Sequence, residues 1–338
     1  MKKKKGAIKL ILVLLVLILL GGGYAALTVM DPFAEEEVEE EEDEIVKEVE
    51  ADTISKIVYT QGKEQIELYL DGETWKTAND EKCSVNQYTV SAMLNTLKEV
   101  KTSRTLKAEE IDEEAFGFKE PKKVITFDTT EGDEITYTIG ALNEIVDKYY
   151  FKISGDENAY LIDSTMYNSF DYNLLKLAEV VEFPSFQDTE MYGLSIKHAG
   201  ETKVYMDVAD AAHKQNEENV PESAWKQYVN GKTKKVNKDK MQKAVDSIVS
   251  LSNSECVSYA PTEKERKACG LDEPAYVITV NYTTASVEED GEVEDKEFCV
   301  YVGGNDKDSG EYYVSCSFDE GIYTMNVSTL SDIIAMVK

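Results

Sequence analysis

An internal repeat is the feature of this chain that most constrains its fold. Five apolar residues with the spacing i, i+3, i+4, i+7, i+10 recur 151 positions later, and this spacing places them on one face of an α-helix. Asn86 and Asn237 stand just before the two patterns and are natural helix N-caps. The repeat predicts one amphipathic helix in each of two copies, and its matched residues are Val90/Met241, Met93/Ala244, Leu94/Val245, Leu97/Ile248 and Val100/Leu251.

A short turn motif follows each helix pattern and recurs in the same order. Its glycine allows a positive φ, its apolar neighbours can fill a core, and its proline favours the start of an extended strand. These properties predict a structural turn that links helix to sheet. The matched residues are Phe116, Gly117, Phe118 and Pro121 in the first copy and Cys269, Gly270, Leu271 and Pro274 in the second.

The fold class predicted from these patterns is α+β, with two tandem diverged copies of a mainly antiparallel sheet-plus-helix module. The copies span 52–181 and 186–338. Alternating apolar residues and turn signals in the first copy predict strands at 56–60, 65–70, 122–128, 134–139, 148–153 and 159–162, then a closing helix at 164–177. Polar insertions at 207–223 and 286–296 in the second copy predict surface loops that are candidate partner contacts.

The N-terminus predicts a membrane anchor. Residues 10–30 carry no charge and would span about 31 Å as a helix, close to the thickness of a bilayer core. A basic tail at 1–9 precedes this transmembrane helix and places the N-terminus in the cytoplasm. The competing interpretation is a cleaved signal peptide, because small residues follow the apolar run. Either interpretation makes the rest of the chain extracytoplasmic; the topology signal is Lys2, Lys3, Lys4 and Lys5.

Residues 31–51 are predicted to be an acidic tether, since like charges at this density repel one another and extend the chain. The whole chain has a formal net charge of −30 and a sequence pI near 4.4. Such a charge excludes nucleic acid as an expected partner. The expected partners are the membrane, through the N-terminal helix, and other membrane or envelope proteins.

The cysteines and histidines do not form a pattern typical of a metal or catalytic site. Cys299 and Cys316 flank a polar hairpin loop and are a candidate cross-strand thiol pair, although the favoured interpretation is two unlinked, buried thiols. The two histidines, His198 and His213, belong to no metal-binding motif, and no phosphate-binding loop or nucleophile elbow occurs. We therefore expect no cofactor, no metal and no enzyme activity, although abundant carboxylates leave a hidden hydrolase open.

The duplicated arrangement, the N-terminal span and the aromatic-Gly-apolar turn resemble the family labelled domain of unknown function 4340. The second copy departs from the motif because Cys269 stands where an aromatic residue is usual. The resemblance implies a single-span exported protein of a family often encoded beside gliding-type ABC transporter components. It implies an accessory role at a transporter and supplies no catalytic residues.

Three functions follow as hypotheses. The leading one is a noncatalytic accessory or assembly component of an ABC transporter or envelope complex. The alternative is an exported module that binds cell-wall polymer or peptide in a groove between the copies, and the third is a cryptic hydrolase.

Overall fold

The computed structural model describes residues 44–207, 225–284 and 294–337. These residues form an α+β protein with mainly antiparallel sheets and few helices, which confirms the predicted class. No helix in the described ranges is both long and apolar enough to cross a bilayer. The predicted basic tail, the span at 10–30, most of the tether and most of the two polar insertions lie outside the described residues.

The first sheet is built from strands between residues 54 and 162. Its order is β4-β3-β2-β7-β8-β9-β10-β6, and the strands predicted from alternation all form within it. β1 pairs with β5 in a separate two-stranded sheet, so residues 44–48, which the sequence assigns to the extended tether, belong instead to the folded part. The bounds are β1 Glu44–Glu48, β2 Ile54–Gln61, β3 Glu64–Asp71, β4 Thr74–Thr77, β5 Glu99–Thr102, β6 Arg104–Leu106, β7 Lys123–Thr129, β8 Glu134–Asn143, β9 Lys148–Ile153 and β10 Ala159–Ile162.

The second sheet has the order β14-β13-β12-β11-β16-β17-β18-β19-β15. If the edge strand β14 is set aside, both sheets place their strands in the same order relative to the chain. The bounds are β11 Met191–His198, β12 Glu201–Asp207, β13 Trp225–Val229, β14 Lys232–Lys235, β15 Cys256–Ser258, β16 Tyr276–Thr284, β17 Glu294–Asn305, β18 Tyr312–Cys316 and β19 Asp319–Met325.

The two predicted amphipathic helices form, and both predicted caps are confirmed. The Asn86 side chain accepts a hydrogen bond from Thr89 N at 3.0 Å, and the Asn237 side chain accepts one from Lys240 N at 2.9 Å. Each cap satisfies an N–H group that a helix start leaves without a partner. The helices are α1 Gln87–Lys98, α2 Thr165–Ser169, α3 Leu174–Leu177, α4 Lys238–Val249, α5 Glu263–Ala268 and α6 Val327–Ile334.

Each sheet has its own hydrophobic core beneath its long helix. Val90, Met93 and Leu97 of α1 are buried in the first core, whereas Leu94 is only partly buried. The corresponding face of α4 is buried in the second core. Burial of a large aliphatic side chain contributes about 1.5–3 kcal/mol, so these two faces hold the helices on their sheets.

The predicted closing helix over 164–177 is wrong in its middle. The structure has two short helices, α2 and α3, separated by residues 170–173. The backbone there is bound by side chains from the sheet: Phe170 O accepts from Lys123 Nζ, and Tyr172 O accepts from the Tyr59 hydroxyl at 2.7 Å. Because Phe170 O and Tyr172 O accept these side-chain hydrogen bonds, they do not serve as acceptors within a continuous helix, and α2 ends at Ser169.

Candidate functional site

The first copy of the turn motif lies directly on a bulge of the sheet. Phe116 O accepts a hydrogen bond from Ala141 N at 2.8 Å, and the register of β8 with β9 shifts at this point. A Cβ added at Gly140 would lie 2.1 Å from Phe116 O, so only glycine allows this approach. Gly117 has a φ of 75°, which is the conformational reason for glycine in the turn itself.

The second copy makes the same contact with different side chains. Cys269 O accepts from Gly304 N at 2.9 Å, and a Cβ at Gly303 would lie 2.2 Å from Cys269 O. Gly270 has a φ of 71°. Cys269 is buried beside Leu271, where it acts as a small apolar side chain, so the departure from an aromatic residue leaves the docked turn intact.

Pro121 and Pro274 stand two residues before β7 and β16, as expected for residues that begin an extended segment. The first copy of the turn also supports an aromatic surface. The Phe116 ring stacks on Tyr150 with centroids 4.0 Å apart, and Lys152 Nζ lies 4.8 Å from the centroid of the Phe118 ring. The turn motif is therefore a structural device whose aromatic members reach the surface in the first sheet.

The structure does not place Cys299 and Cys316 opposite each other as a candidate pair, and the two thiols are unlinked, which is the favoured interpretation from the sequence. Cys316 pairs with Val300 across β17 and β18, while Cys299 exchanges hydrogen bonds with Ser317. Because side chains alternate along a strand, the two thiols point to opposite faces of the sheet. All five cysteines are free, and burial raises the pKa of Cys316 to about 12.

A polar cleft of about 280 Å³ lies where the two sheets meet, and it is the candidate functional site. The first half of the chain contributes Lys82 and Glu179, and the second half contributes Tyr259, Asp319 and Tyr323. The chain that follows α3 is held beside this cleft by an isolated antiparallel β-bridge between Ala178 and Val85.

One side-chain hydrogen bond links the two halves of the chain beside this cleft, and a second lies within the second half. The Tyr259 hydroxyl donates to Asp80 Oδ2 at 2.9 Å, and the Tyr323 hydroxyl donates to Asp319 Oδ1 at 2.7 Å. Bonds from Lys82 N and from Tyr259 lower the pKa of Asp80. Burial and the bond to Asp80 raise the pKa of Tyr259 to about 12, so the hydroxyl stays protonated as a donor. The bond from Tyr259 to Asp80 joins the two halves through a charge-assisted hydrogen bond.

Two further cysteines lie close to this junction. Cys83 is buried in the first core, and Cys256 packs against the cores of both sheets. Burial raises the pKa of Cys83 to about 12, with a contribution from the nearby Cys256, and burial raises the pKa of Cys256 to about 11. Both thiols are therefore protonated at neutral pH and behave as packing groups.

One buried charged residue was missed by the sequence analysis. The Lys123 side chain is 1% exposed; its Nζ donates to Gln61 Oε1 at 2.7 Å and to Phe170 O at 2.5 Å. The ammonium also lies 5.0 Å from the centroid of the Tyr167 ring. Burial lowers its pKa, and Asp171 partly opposes that effect. A lysine next to another lysine at a strand start is typical of a solvated position, so sequence held no signal for this role.

The fold and site define an α+β protein of two antiparallel sheets, each with a turn docked on a glycine bulge, joined at a polar cleft. The chain belongs to the family described as Domain of unknown function (DUF4340), whose sequence model matches residues 75–274. The match covers more than half of the chain and confirms the family resemblance. No curated protein and no solved structure matches this chain.

Proposed function

We propose that this chain is a membrane-anchored, extracytoplasmic accessory or assembly component of a transporter or envelope complex, without a catalytic role of its own. The segment at 10–30 anchors it with the N-terminus in the cytoplasm, and the acidic tether holds the folded part away from the bilayer. The two sheets are diverged copies of one module. Their shared strand order, asparagine caps and docked turns support this duplication.

An exposed apolar hairpin tip is the observation that carries the assembly role. Ile145 is 93% exposed between β8 and β9, with Val146 at 49% and Leu142 at 38%. The tip is continuous with the stack of Phe116 on Tyr150, because Asn143 Nδ2 donates to the Tyr150 hydroxyl at 2.9 Å. Clustered exposed apolar side chains are typical of protein contact sites.

The corresponding hairpin of the second sheet is polar, which shows that this kind of sheet does not need an apolar tip in order to fold. Its loop between β17 and β18 is closed by Asp306, whose carboxylate accepts from Ser309 and from the Tyr313 hydroxyl at 2.6 Å. Since both sheets form with such different tips, packing does not require Ile145 and Val146 to be apolar. We assign their exposure to a partner.

The polar groups of the junction support a structural role for its carboxylates. Asp80 and Asp319 each accept a hydrogen bond from a tyrosine, and the bonds to Asp80 lower the pKa of that carboxyl. The carboxyl groups whose pKa is displaced in the described ranges all have it lowered, whereas a general acid at neutral pH needs a raised pKa. This pattern favours the accessory role over the hydrolase.

Affinity purification from detergent-solubilised membranes tests the proposal. The tagged full-length chain should recover the ATPase and permease subunits of one transporter, identified by mass spectrometry. The double variant Ile145→Glu, Val146→Glu should lose them, because two charges at the tip oppose burial in an interface. Tyr88→Glu is the control, since it adds a charge at a residue that is 86% exposed and belongs to α1, not to the tip.

The outcomes separate the hypotheses. Recovery of the chain without transporter subunits contradicts the accessory role. Equal recovery by the tip variant and by the Tyr88 control contradicts the assignment of the hairpin tip while leaving a transporter partner in place.

A further inference from the structure

A second pocket lies at the outer edge of the second sheet, between the β13–β14 hairpin and the first turns of α4. Its volume is about 200 Å³, and its walls include the apolar residues Trp225, Val236 and Met241. The lysines Lys226, Lys235 and Lys238 also line it, and the described lining residues include no carboxylate. The pocket thus combines an apolar wall with a cationic rim.

The placement of these lysines lowers the stability of the fold when no ligand is bound. Lys226 and Lys235 are direct register partners on neighbouring antiparallel strands. Like charges opposite each other in this way destabilise a sheet. The three lysines form no ion pair with the residues that the structure describes, although the chain has 66 acidic residues against 36 basic ones. A bound anion would remove this repulsion.

The start of α4 adds to the attraction for an anion. Lys238 is the first residue of this 12-residue helix, whose dipole favours negative charge near its start; Asn237 caps one of its N–H groups, and Asp239 already lies in the first turn. Lysine binds phosphate as a compact positive charge. Three such charges beside a helix start match a phosphate better than a neutral group, and the Trp225 wall suits an apolar or sugar body.

The equivalent edge of the first sheet provides an internal comparison. A pocket of about 460 Å³ lies beside Trp75, but its lining includes Glu81 and Glu179 together with a single rim lysine, Lys76, which is paired with Asp71. The Gln87 side chain there accepts a hydrogen bond from the N–H of Trp75 and donates one to its carbonyl, so these backbone groups of the edge strand already have partners. The cationic rim is therefore a property of the second sheet.

We propose that the Trp225 pocket binds a phosphate-bearing ligand, with the phosphate held by Lys226, Lys235 and Lys238 and the rest of the ligand against Trp225 and Met241. This inference is independent of the accessory role and of the membrane anchor. The phosphate can belong to a soluble phosphoester or to a lipid headgroup, and both sources share the same recognition chemistry.

Fluorine NMR of the full-length chain, in an uncharged detergent and labelled with 5-fluorotryptophan, tests this site. The chain has two tryptophans, so Trp225→Phe assigns the two signals. The chain is titrated with inorganic phosphate and with sn-glycerol 3-phosphate. In a second arm it is reconstituted in phosphatidylglycerol or in phosphatidylcholine bilayers. We expect a saturable shift of the Trp225 signal and a constant Trp75 signal.

The variants distinguish a built pocket from general charge. Changing Lys226, Lys235 and Lys238 to Gln should weaken binding by about tenfold or more, since three charged contacts are lost. The matched control changes Lys232, Lys240 and Lys243 to Gln; these lysines are exposed, lie on the same hairpin and helix, and do not line the pocket. It removes the same total charge and should weaken binding by less than about threefold.

Each outcome decides the proposal. A shift of Trp225 with either soluble probe supports it, and so does a shift with anionic phosphatidylglycerol but not with phosphatidylcholine, whose headgroup phosphate is already neutralised by its own choline. The probe that shifts the signal identifies the source of the phosphate. Equal weakening by the two triple variants, equal movement of both tryptophan signals, or no saturable shift in any arm overturns it. Far-ultraviolet circular dichroism of each variant confirms that the fold is retained.

Discussion

The docked turn makes a sharp prediction at two adjacent glycines of the second sheet. A Cβ at Gly303 would lie 2.2 Å from Cys269 O, whereas real Cβ contacts are essentially never shorter than 3.0 Å. A Cβ at Gly304 would meet the same oxygen at 3.7 Å, an ordinary contact. Neither glycine has a positive φ, so alanine is tolerated by the backbone at both. The two substitutions differ only in the space around the new methyl group.

Gly303→Ala must therefore separate the turn from the strand by at least 0.8 Å, the difference between the two distances. The hydrogen bond from Gly304 N to Cys269 O is 2.9 Å long and would break at that separation. A lost hydrogen bond costs about 1 kcal/mol and overpacking costs about 1–3 kcal/mol, so we expect destabilisation of about 2–4 kcal/mol. Gly304→Ala should change the free energy of unfolding by about 0.5 kcal/mol or less in either direction.

Urea unfolding of the full-length chain in detergent, followed by far-ultraviolet circular dichroism, measures both changes. Gly140→Ala is the parallel variant in the first sheet, where the distance to Phe116 O is 2.1 Å. It should be destabilised as strongly as Gly303→Ala. Equal unfolding midpoints for Gly303→Ala and Gly304→Ala would refute the reasoning, since steric contact is the only difference that it uses.

Other expectations concern Lys123, the bond between Tyr259 and Asp80, and two buried thiols. Lys123→Met should destabilise the fold by about 3 kcal/mol in the same unfolding assay, because the buried Phe170 O and the partly buried Gln61 Oε1 lose their donor; unchanged stability would contradict the role of this lysine. The lowered pKa of Asp80 means that the stability it contributes is present above the unfolded pKa of about 4 and is lost as pH falls through the folded value. Tyr259→Phe should reduce that acid-side loss, and an unchanged pH profile would exclude the hydroxyl as a cause. Cys83 and Cys316, both with pKa raised to about 12, should resist iodoacetamide at pH 8 until urea unfolds the chain; mass spectrometry that finds either thiol modified in the folded protein would contradict their burial.

The local elements were predictable because their signals lie within a few residues. Apolar spacing places Val90 and Met241 on buried helix faces, and Asn86 and Asn237 cap those helices as expected. The same local logic predicted the strands of the first sheet and the turn motif around Gly117. These outcomes depend on backbone geometry and side-chain periodicity, which a single sequence displays directly.

The predictions that failed depended on partners distant along the chain. The helix expected over 164–177 is interrupted because Lys123 and Tyr59 bind the carbonyls of Phe170 and Tyr172. The candidate pair of Cys299 and Cys316 does not form because strand register, and not distance from the loop, decides which face a side chain occupies.

The candidate sites belong to this second group. Tyr259 meets Asp80 across 179 positions of sequence, and nothing local to either residue indicates the contact. The cationic rim likewise depends on the pairing of β13 with β14, which brings Lys226 opposite Lys235.

The sequence by itself determined the α+β class, the family, the capped helices and the glycine turns, because short-range periodicity and backbone preference encode each of them. The tertiary structure alone decided the strand register, the junction cleft, the burial of Lys123 and the Trp225 pocket. Each of these arises when side chains far apart in sequence compete for the same backbone groups and the same space, and that competition is resolved only when the sheets assemble.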